Sequence, residues 1–240
     1  MIHLTGVTDC PRVFGERKLL LSNVDLVLAP GRYALLSSKP ECHRPLLDVL
    51  AGIRPPQRGL VQHRGLVSWP MGRQGFIRGK GSGLKMVRLV CNLYGLDVHS
   101  SIDWLADLMT HPEYLSRPMA DWPLFMRQEF SFALALIPDF DIYLVDGAMP
   151  FQPCRFTRLW RALFEKRLAN RTLILSTYRH SQMTDYCTKA MIYERNGLRI
   201  EENLTDCIGK FPARQNSSDA SAQSIDVSHF SSSAGDPFIY

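Results

Sequence analysis

The stretch from Tyr33 to Ala51 narrows most sharply what this chain can fold into. Tyr33-Ala-Leu-Leu36 is a short apolar run, and Ser37–Arg44 is a polar loop. Pro45–Ala51 then carries apolar residues at helical spacing, with Pro45 suited to a first turn and Gly52 to a C-terminal cap. Strand, loop, helix in that order opens a parallel α/β domain. Two later runs, Asp141-Ile-Tyr-Leu-Val-Asp146 and Thr172–Ser176, read as further buried strands, the first ending in a carboxylate.

The remaining elements fit around these three strands. Leu19–Leu21 and Val24–Leu28 predict short N-terminal strands, closed by the turn Ala29-Pro30-Gly31. From about Gly79 to Ile137 the pattern is helical, over Leu84–Tyr94, Ile102–Met109 and Leu124–Ile137. Arg155–Leu168 reads as an amphipathic helix. Ala190–Tyr193 and Leu198–Ile200 flank Arg195-Asn196-Gly197, a hairpin signal. One domain is therefore expected over residues 1–211, with a helical insert over about 79–140. Residues 212–240 are Ser-rich and poor in large apolar side chains, which predicts a disordered tail ending in the apolar Pro237-Phe-Ile-Tyr240.

Composition excludes several function classes. The net charge of +5 is spread along the chain with no run of five basic residues, so no nucleic-acid face is indicated. Cys10, Cys42, Cys91, Cys154, Cys187 and Cys207 form no close metal-binding pair and read as free thiols of a reducing cytoplasm. The N-terminus carries no signal-peptide pattern, and the apolar runs fall short of the ~20 residues of a membrane span. A role at a membrane would be that of a peripheral subunit.

Leu50-Ala-Gly-Ile53, Val67-Ser-Trp-Pro-Met-Gly72 and Arg88-Leu-Val-Cys-Asn-Leu-Tyr94, in this order and spacing, resemble the ATP-binding subunits of ABC transporters, and among them the family that exports capsular polysaccharide. Leu50-Ala-Gly-Ile53 with Pro55-Pro-Gln-Arg-Gly59 is similar to the stretch after that family's P-loop helix. Val67-Ser-Trp-Pro-Met-Gly72, Arg88-Leu-Val-Cys-Asn-Leu-Tyr94 and Tyr186-Cys187 before Ala190-Met-Ile-Tyr193 resemble its later segments. The spacing from Met126-Arg127 to Tyr143-Leu-Val-Asp146 matches that from its signature helix to its Walker B strand. The likeness covers about residues 1–210. It implies a P-loop ABC-ATPase-like core, a mostly parallel sheet plus antiparallel N-terminal strands, with a helical subdomain inserted.

The resemblance also shows what is missing. A Walker A loop, G-x-x-x-x-G-K-[ST], cradles phosphate with backbone N–H groups, a lysine and a magnesium-binding hydroxyl. Here those positions read Ser37-Ser38-Lys39-Pro40-Glu41-Cys42-His43-Arg44. Both glycines are gone, Pro40 lacks an N–H, and Glu41 adds negative charge where phosphate would lie. His43, mostly neutral near pH 7, stands for the lysine, and Arg44 for the hydroxyl. Asp146 matches the Walker B aspartate, yet the catalytic glutamate after it is Gly147. Read from the residues alone, Asp146 is a strand-end carboxylate capping nearby backbone. The signature segment is Trp122-Pro-Leu-Phe-Met126. The Q-loop glutamine falls at Arg78, with Gln74 four residues early. The D-loop aspartate falls at Pro153 and the switch histidine at Thr177 or Tyr178, with His180 read as a surface-loop residue. The adenine-stacking aromatic falls at Pro11, with Phe14 nearby.

Each composite site of an ABC dimer joins one subunit's P-loop to the other's signature, and this chain has lost both halves. ATP and Mg²⁺, the family's cofactors, are therefore expected to bind weakly at most, through Lys39 or Arg44 near a helix N-terminus. Ser37, Ser38, Lys39, His43, Arg44 and Asp146 are the positional equivalents of the nucleotide site. The resemblance implies an integral membrane permease of a polysaccharide exporter as partner, a homodimer or a heterodimer with another ABC subunit, and a cytoplasmic place on the inner face of the cell membrane. The expected dock is the groove between insert and core, near Arg73, Arg78, Lys80 and Lys85, with Gly79–Gly83 giving it flexibility. The rival expectation is a slow ATPase using Lys39, His43 and Asp146.

Overall fold

The computed structural model describes residues 1–13, 15–73 and 81–211. The expectations placed on Phe14, Gln74, Arg78, Gly79, Lys80 and the tail at 212–240 lie outside these residues.

The chain begins with β1 (Ile2–Asp9), a two-residue ribbon of β2 (Arg12–Val13) and β3 (Glu16–Arg17), and β4 (Leu21–Leu28). β5 (Arg32–Ser37) leads through a 3-10 turn, Pro40–Cys42, into α1 (His43–Leu50). Gly52 follows α1 with φ +72, the left-handed conformation that ends helices. β6 (Arg58–His63) then pairs antiparallel with β1, giving a three-stranded sheet in the order β4-β1-β6. No strand was expected here. Leu60 is 53% exposed and only Val61 and His63 of the six residues are partly buried, so no run of apolar residues announces the strand.

The insert comprises α2 (Gly83–Tyr94), α3 (Val98–Leu108), two 3-10 turns, and α4 (Leu124–Leu134). α3 starts before the expected Ile102 because the Asp97 carboxylate accepts the Ser100 N–H at 2.7 Å, a side-chain cap. α4 ends before the expected Ile137. Leu136 and Ile137 donate to carbonyls three residues back, a tightened last turn that stays buried or half-buried. The apolar pattern thus outlasts the helix.

β7 (Ile142–Asp146), α5 (Arg155–Leu168), β8 (Thr172–Ser176), α6 (His180–Tyr186), β9 (Lys189–Glu194), β10 (Gly197–Glu201) and α7 (Thr205–Ile208) complete the fold. The main sheet has the order β10-β9-β5-β8-β7, parallel except for the β9–β10 hairpin. Side chains alternate between its faces. Ala34, Leu36, Tyr143, Val145, Leu173, Leu175, Ala190 and Ile192 meet the insert and α5. Tyr33, Leu35, Ile142, Leu144, Ile174, Met191 and Tyr193 meet α1 and the N-terminal sheet. Both faces are covered, which is why these strands read as continuous apolar runs.

Trp160 of α5 joins insert to core. Its ring stacks on Phe164 at 4.6 Å and meets Phe132 of α4 edge-on at 5.3 Å. Its indole N–H donates to the Phe132 carbonyl at 3.0 Å. Such ring pairs contribute roughly 0.5–1.5 kcal/mol beyond the area they bury.

Candidate functional site

Parallel strands present their carboxyl ends at one edge, where open α/β sheets bind ligands. Ser37 ends β5, Asp146 ends β7 and Ser176 ends β8, with Asp146 and Ser176 in register. The loop after β5 does not form an anion cradle. The Lys39 N–H donates to Ser37 Oγ at 2.9 Å and the Cys42 N–H to the Lys39 carbonyl at 3.0 Å. The His43 N–H donates to the Pro40 carbonyl, and Pro40 has no N–H to offer. Donors that would converge on a phosphate are consumed inside the turn. Ser38 and Lys39 are exposed at its rim.

His43 points into the protein. It is 3% exposed, and its Nδ1 lies 2.9 Å from Ser176 Oγ, a hydrogen bond across the top of the sheet. Next to it, burial pushes the Cys42 thiol above its ordinary value, opposed by a hydrogen bond to Tyr193. Burial likewise raises the Tyr193 hydroxyl. Both groups are uncharged at neutral pH and supply no phosphate ligand.

Among the described residues, the groups that bond Asp146 are side chains. Its carboxylate, 1% exposed, accepts the Nε–H of Arg73 at 2.8 Å and that of Arg44 at 3.4 Å on the same oxygen. Arg73 also donates through Nη1 to Asp48 of α1 at 2.6 Å. Of the cations expected near the dock, Arg73 has a side chain only 14% exposed and bonded to both carboxylates. Lys85 remains on α2. Arg44 is half-exposed, so its longer pair with Asp146 contributes little.

The backbone beyond β7 excludes the missing base by shape. Gly147 has φ +139, which side-chain-bearing residues rarely adopt, and a β-carbon there would lie 2.9 Å from the Gly72 carbonyl oxygen. Its N–H donates to the Ser176 carbonyl at 2.8 Å. Gln182 of α6 is buried and holds the next segment. Its Oε1 accepts the Met149 N–H at 3.1 Å, and its Nε2 donates to the Met149 carbonyl at 2.9 Å. Thr177, at the switch position, is buried and bonds the same Oε1 at 3.3 Å. His180 opens α6 rather than sitting in a loop, with Nε2 shielded from solvent. Pro153 is exposed, and the Arg179 guanidinium stacks 3.4 Å above the Phe151 ring.

At the signature position Trp122 is buried in the insert, 5.2 Å from Phe130, with its indole N–H on the Arg117 carbonyl. Leu124 and Phe125 are 59% and 53% exposed at the start of α4. In the register of the resemblance these two apolar side chains fall at the signature's glycines, and Pro123 at its serine. Pro11 is buried and offers no stacking face.

A magnesium-bound nucleotide does not fit this constellation: a metal beside Asp146 would have to displace the Arg73 guanidinium. Among the described residues no group of three or more His, Cys, Asp or Glu side chains is placed to hold a metal. The partnership of Arg73 with Asp48 and Asp146 was not legible, because residues 64–73 carry no periodicity. The available signal was Asp48 four residues after Arg44 on one helix face. Gln182 had no signal at all.

No model of a protein family matches the chain. It is 30% identical over 160 residues to the capsule polysaccharide export ATP-binding protein CtrD of Neisseria meningitidis serogroup B, covering 66% of this chain and 74% of that protein. It is 29% identical over 200 residues to the ATP-binding protein BexA of Haemophilus influenzae, covering 82% and 91%. The polysialic acid transport ATP-binding protein KpsT of Escherichia coli is 23% identical over 215 residues, 88% of this chain and 98% of that one. Among solved structures, an ATP-binding subunit of an ABC transporter superposes with a TM-score of 0.69 at 16% identity, covering 92% of this chain and 97% of that one. An ATP-binding cassette in a post-hydrolysis dimer with ADP and phosphate gives 0.64 at 15% identity, covering 84% and 98%. These structures establish the fold.

Proposed function

The chain belongs to the family of capsule-polysaccharide-export ATP-binding proteins, and from that membership we propose that it is a non-hydrolysing structural or regulatory subunit of a polysaccharide exporter. In this reading it docks on the exporter's integral membrane permease from the cytoplasmic side, as a peripheral subunit of a homodimer or of a heterodimer with another ABC subunit. No helix among the described residues is long and apolar enough to cross a membrane.

One observation carries the non-hydrolysing part. Gly147 stands where a carboxylate would orient the attacking water, and its backbone leaves no room for a side chain. A site without a base at this position has lost the step that hydrolysis requires. The slow-ATPase reading needs His43 and Asp146 to face a nucleotide. The first is bonded to Ser176 and the second to Arg73.

The test is to purify the chain with its permease from membranes, with and without ATP, and to measure phosphate release by the same preparation. Co-purification that does not depend on ATP, with no magnesium-dependent release, is the expected result. Turnover near ~1 s⁻¹, the low end for enzymes, that Asp146→Asn abolishes would overturn the reading.

A further inference from the structure

We propose that Arg73 is a tethered cation that takes the place of a divalent metal beside Asp146 and fixes the segment leading to the helical insert onto the core. The backbone brings it there. Residues 67–71 run parallel to β7, with bridges Val67–Ile142 and Met71–Val145. The Ser68 N–H donates to the Ile142 carbonyl at 2.8 Å, the Met71 N–H to Leu144 at 2.9 Å, and the Asp146 N–H returns to Met71 at 2.8 Å. Ser68 Oγ accepts the Leu144 N–H at 2.9 Å. This added strand ends one residue before Gly72, whose φ of +77 turns the chain. Arg73 is thereby delivered over the end of β7.

The guanidinium does what a metal ion would do for charge. Asp146 and Asp48 come from different elements, and Arg73 bridges them through Nε and Nη1 at 2.8 and 2.6 Å. Among the described residues, the two carboxylates are bonded by Arg73 and Arg44, two positive charges, the total that one divalent ion carries. A planar fork suits bridging two oxygens, and a lysine would not reproduce it. A metal bound directly to Asp146 Oδ2 needs that oxygen at about 2.0–2.1 Å, where the Arg73 and Arg44 guanidinium groups already bond it. In a chain whose metal is removed or weakly held, those carboxylates would repel. Here they are neutralised by a covalently attached group, with no dependence on nucleotide.

The inference rests on the closed-site reading above, and its test reads metal binding and melting rather than turnover, so the two fail separately. The probe is Mn²⁺ alone, followed by its electron paramagnetic resonance signal and by thermal melting of the full chain. Wild type is expected to leave Mn²⁺ free and to melt at the same temperature with millimolar Mg²⁺, Mn²⁺ or chelator. Arg73→Ala is expected to melt several degrees lower, to bind Mn²⁺, and to regain part of the loss when it is added. The double variant Arg73→Ala/Asp146→Asn should not bind it. Arg73→Ala that melts like wild type, or that neither binds nor is rescued by Mn²⁺, overturns the proposal. If that variant does not fold, the wild-type measurement decides: Mn²⁺ bound with Arg73 present, and released by Asp146→Asn, also overturns it.

Discussion

Gly147 and Gly72 meet so closely that a β-carbon on Gly147 would lie 2.9 Å from the Gly72 carbonyl oxygen. Restoring the glutamate at that position therefore costs more than it returns. Gly147→Glu should remain inactive in phosphate release and melt lower, by strain on the order of 1–3 kcal/mol. Gly147→Ala should lose a similar amount, because the β-carbon alone makes the clash. Phosphate release and thermal melting of both variants check this, and robust hydrolysis by Gly147→Glu would show a better-formed site. His43→Lys should also stay inactive, since residues that act as a unit are not restored singly.

Asp9 and Arg54 form an ion pair in the N-terminal half with its carboxylate in the core. The Asp9 carboxylate is fully buried and takes two bonds of 2.7 Å from the guanidinium, which keeps about a third of its own surface in water. Arg54→Ala strands a charge in the core and should cost about 3 kcal/mol, the low end for breaking a buried pair. In a chain of this size that is a drop of roughly 6–12 °C. Asp9→Leu/Arg54→Met should cost less than Arg54→Ala, because no lone charge remains. Melting curves of the two variants decide between these outcomes.

The cysteines should separate by reactivity. Burial pushes the Cys187 thiol far above its ordinary value, and burial raises Cys42 and Cys207 as well. A raised value leaves the unreactive thiol form at neutral pH. Native alkylation should label exposed Cys154 and half-exposed Cys10 first. Cys42, Cys91, Cys187 and Cys207 should react only after unfolding. Mass spectrometry of a timed reaction reads the order, and early labelling of Cys187 would contradict the packing described.

Asp97 should make α3 sensitive to acid. The Ser100 N–H holds its carboxyl below the ordinary 3.8. A depressed value stabilises the fold above 3.8, and that contribution is lost as pH falls through the folded value. Wild type should therefore out-melt Asp97→Ala near neutrality by a margin that narrows in acid. Asp97→Asn keeps a capping oxygen without the charge, so its margin over Asp97→Ala should not change across that window. Melting temperatures over the acid range would show it.

The sequence revealed the core well because the main strands are covered on both faces. Arg155–Leu168 and Thr172–Ser176 fall where their patterns place them. β6 escaped because it has only two large apolar residues and one of them, Leu60, faces water. α6 escaped because His180–Tyr186 is short and mostly polar, anchored by Met183 and Tyr186. In the site, substitutions such as Pro40 and Gly147 were legible one position at a time. What could not be read was where the surviving polar groups turn. His43 reaches Ser176, 133 residues away, and Arg73 reaches Asp146, 73 residues away. Such pairs depend on strand register, which no local pattern encodes.

Gln182 gives the edge of the sheet an unusual rigidity. Its amide takes both backbone groups of Met149, as a neighbouring strand would, so the loop after β7 is stitched to the helix after β8. The two loops must then travel as one body. A binding protein arriving at this rim finds the Met149 main chain already paired. It meets Phe151 with Arg179 lying flat upon it, a ready-made platform whose shape is already set before contact.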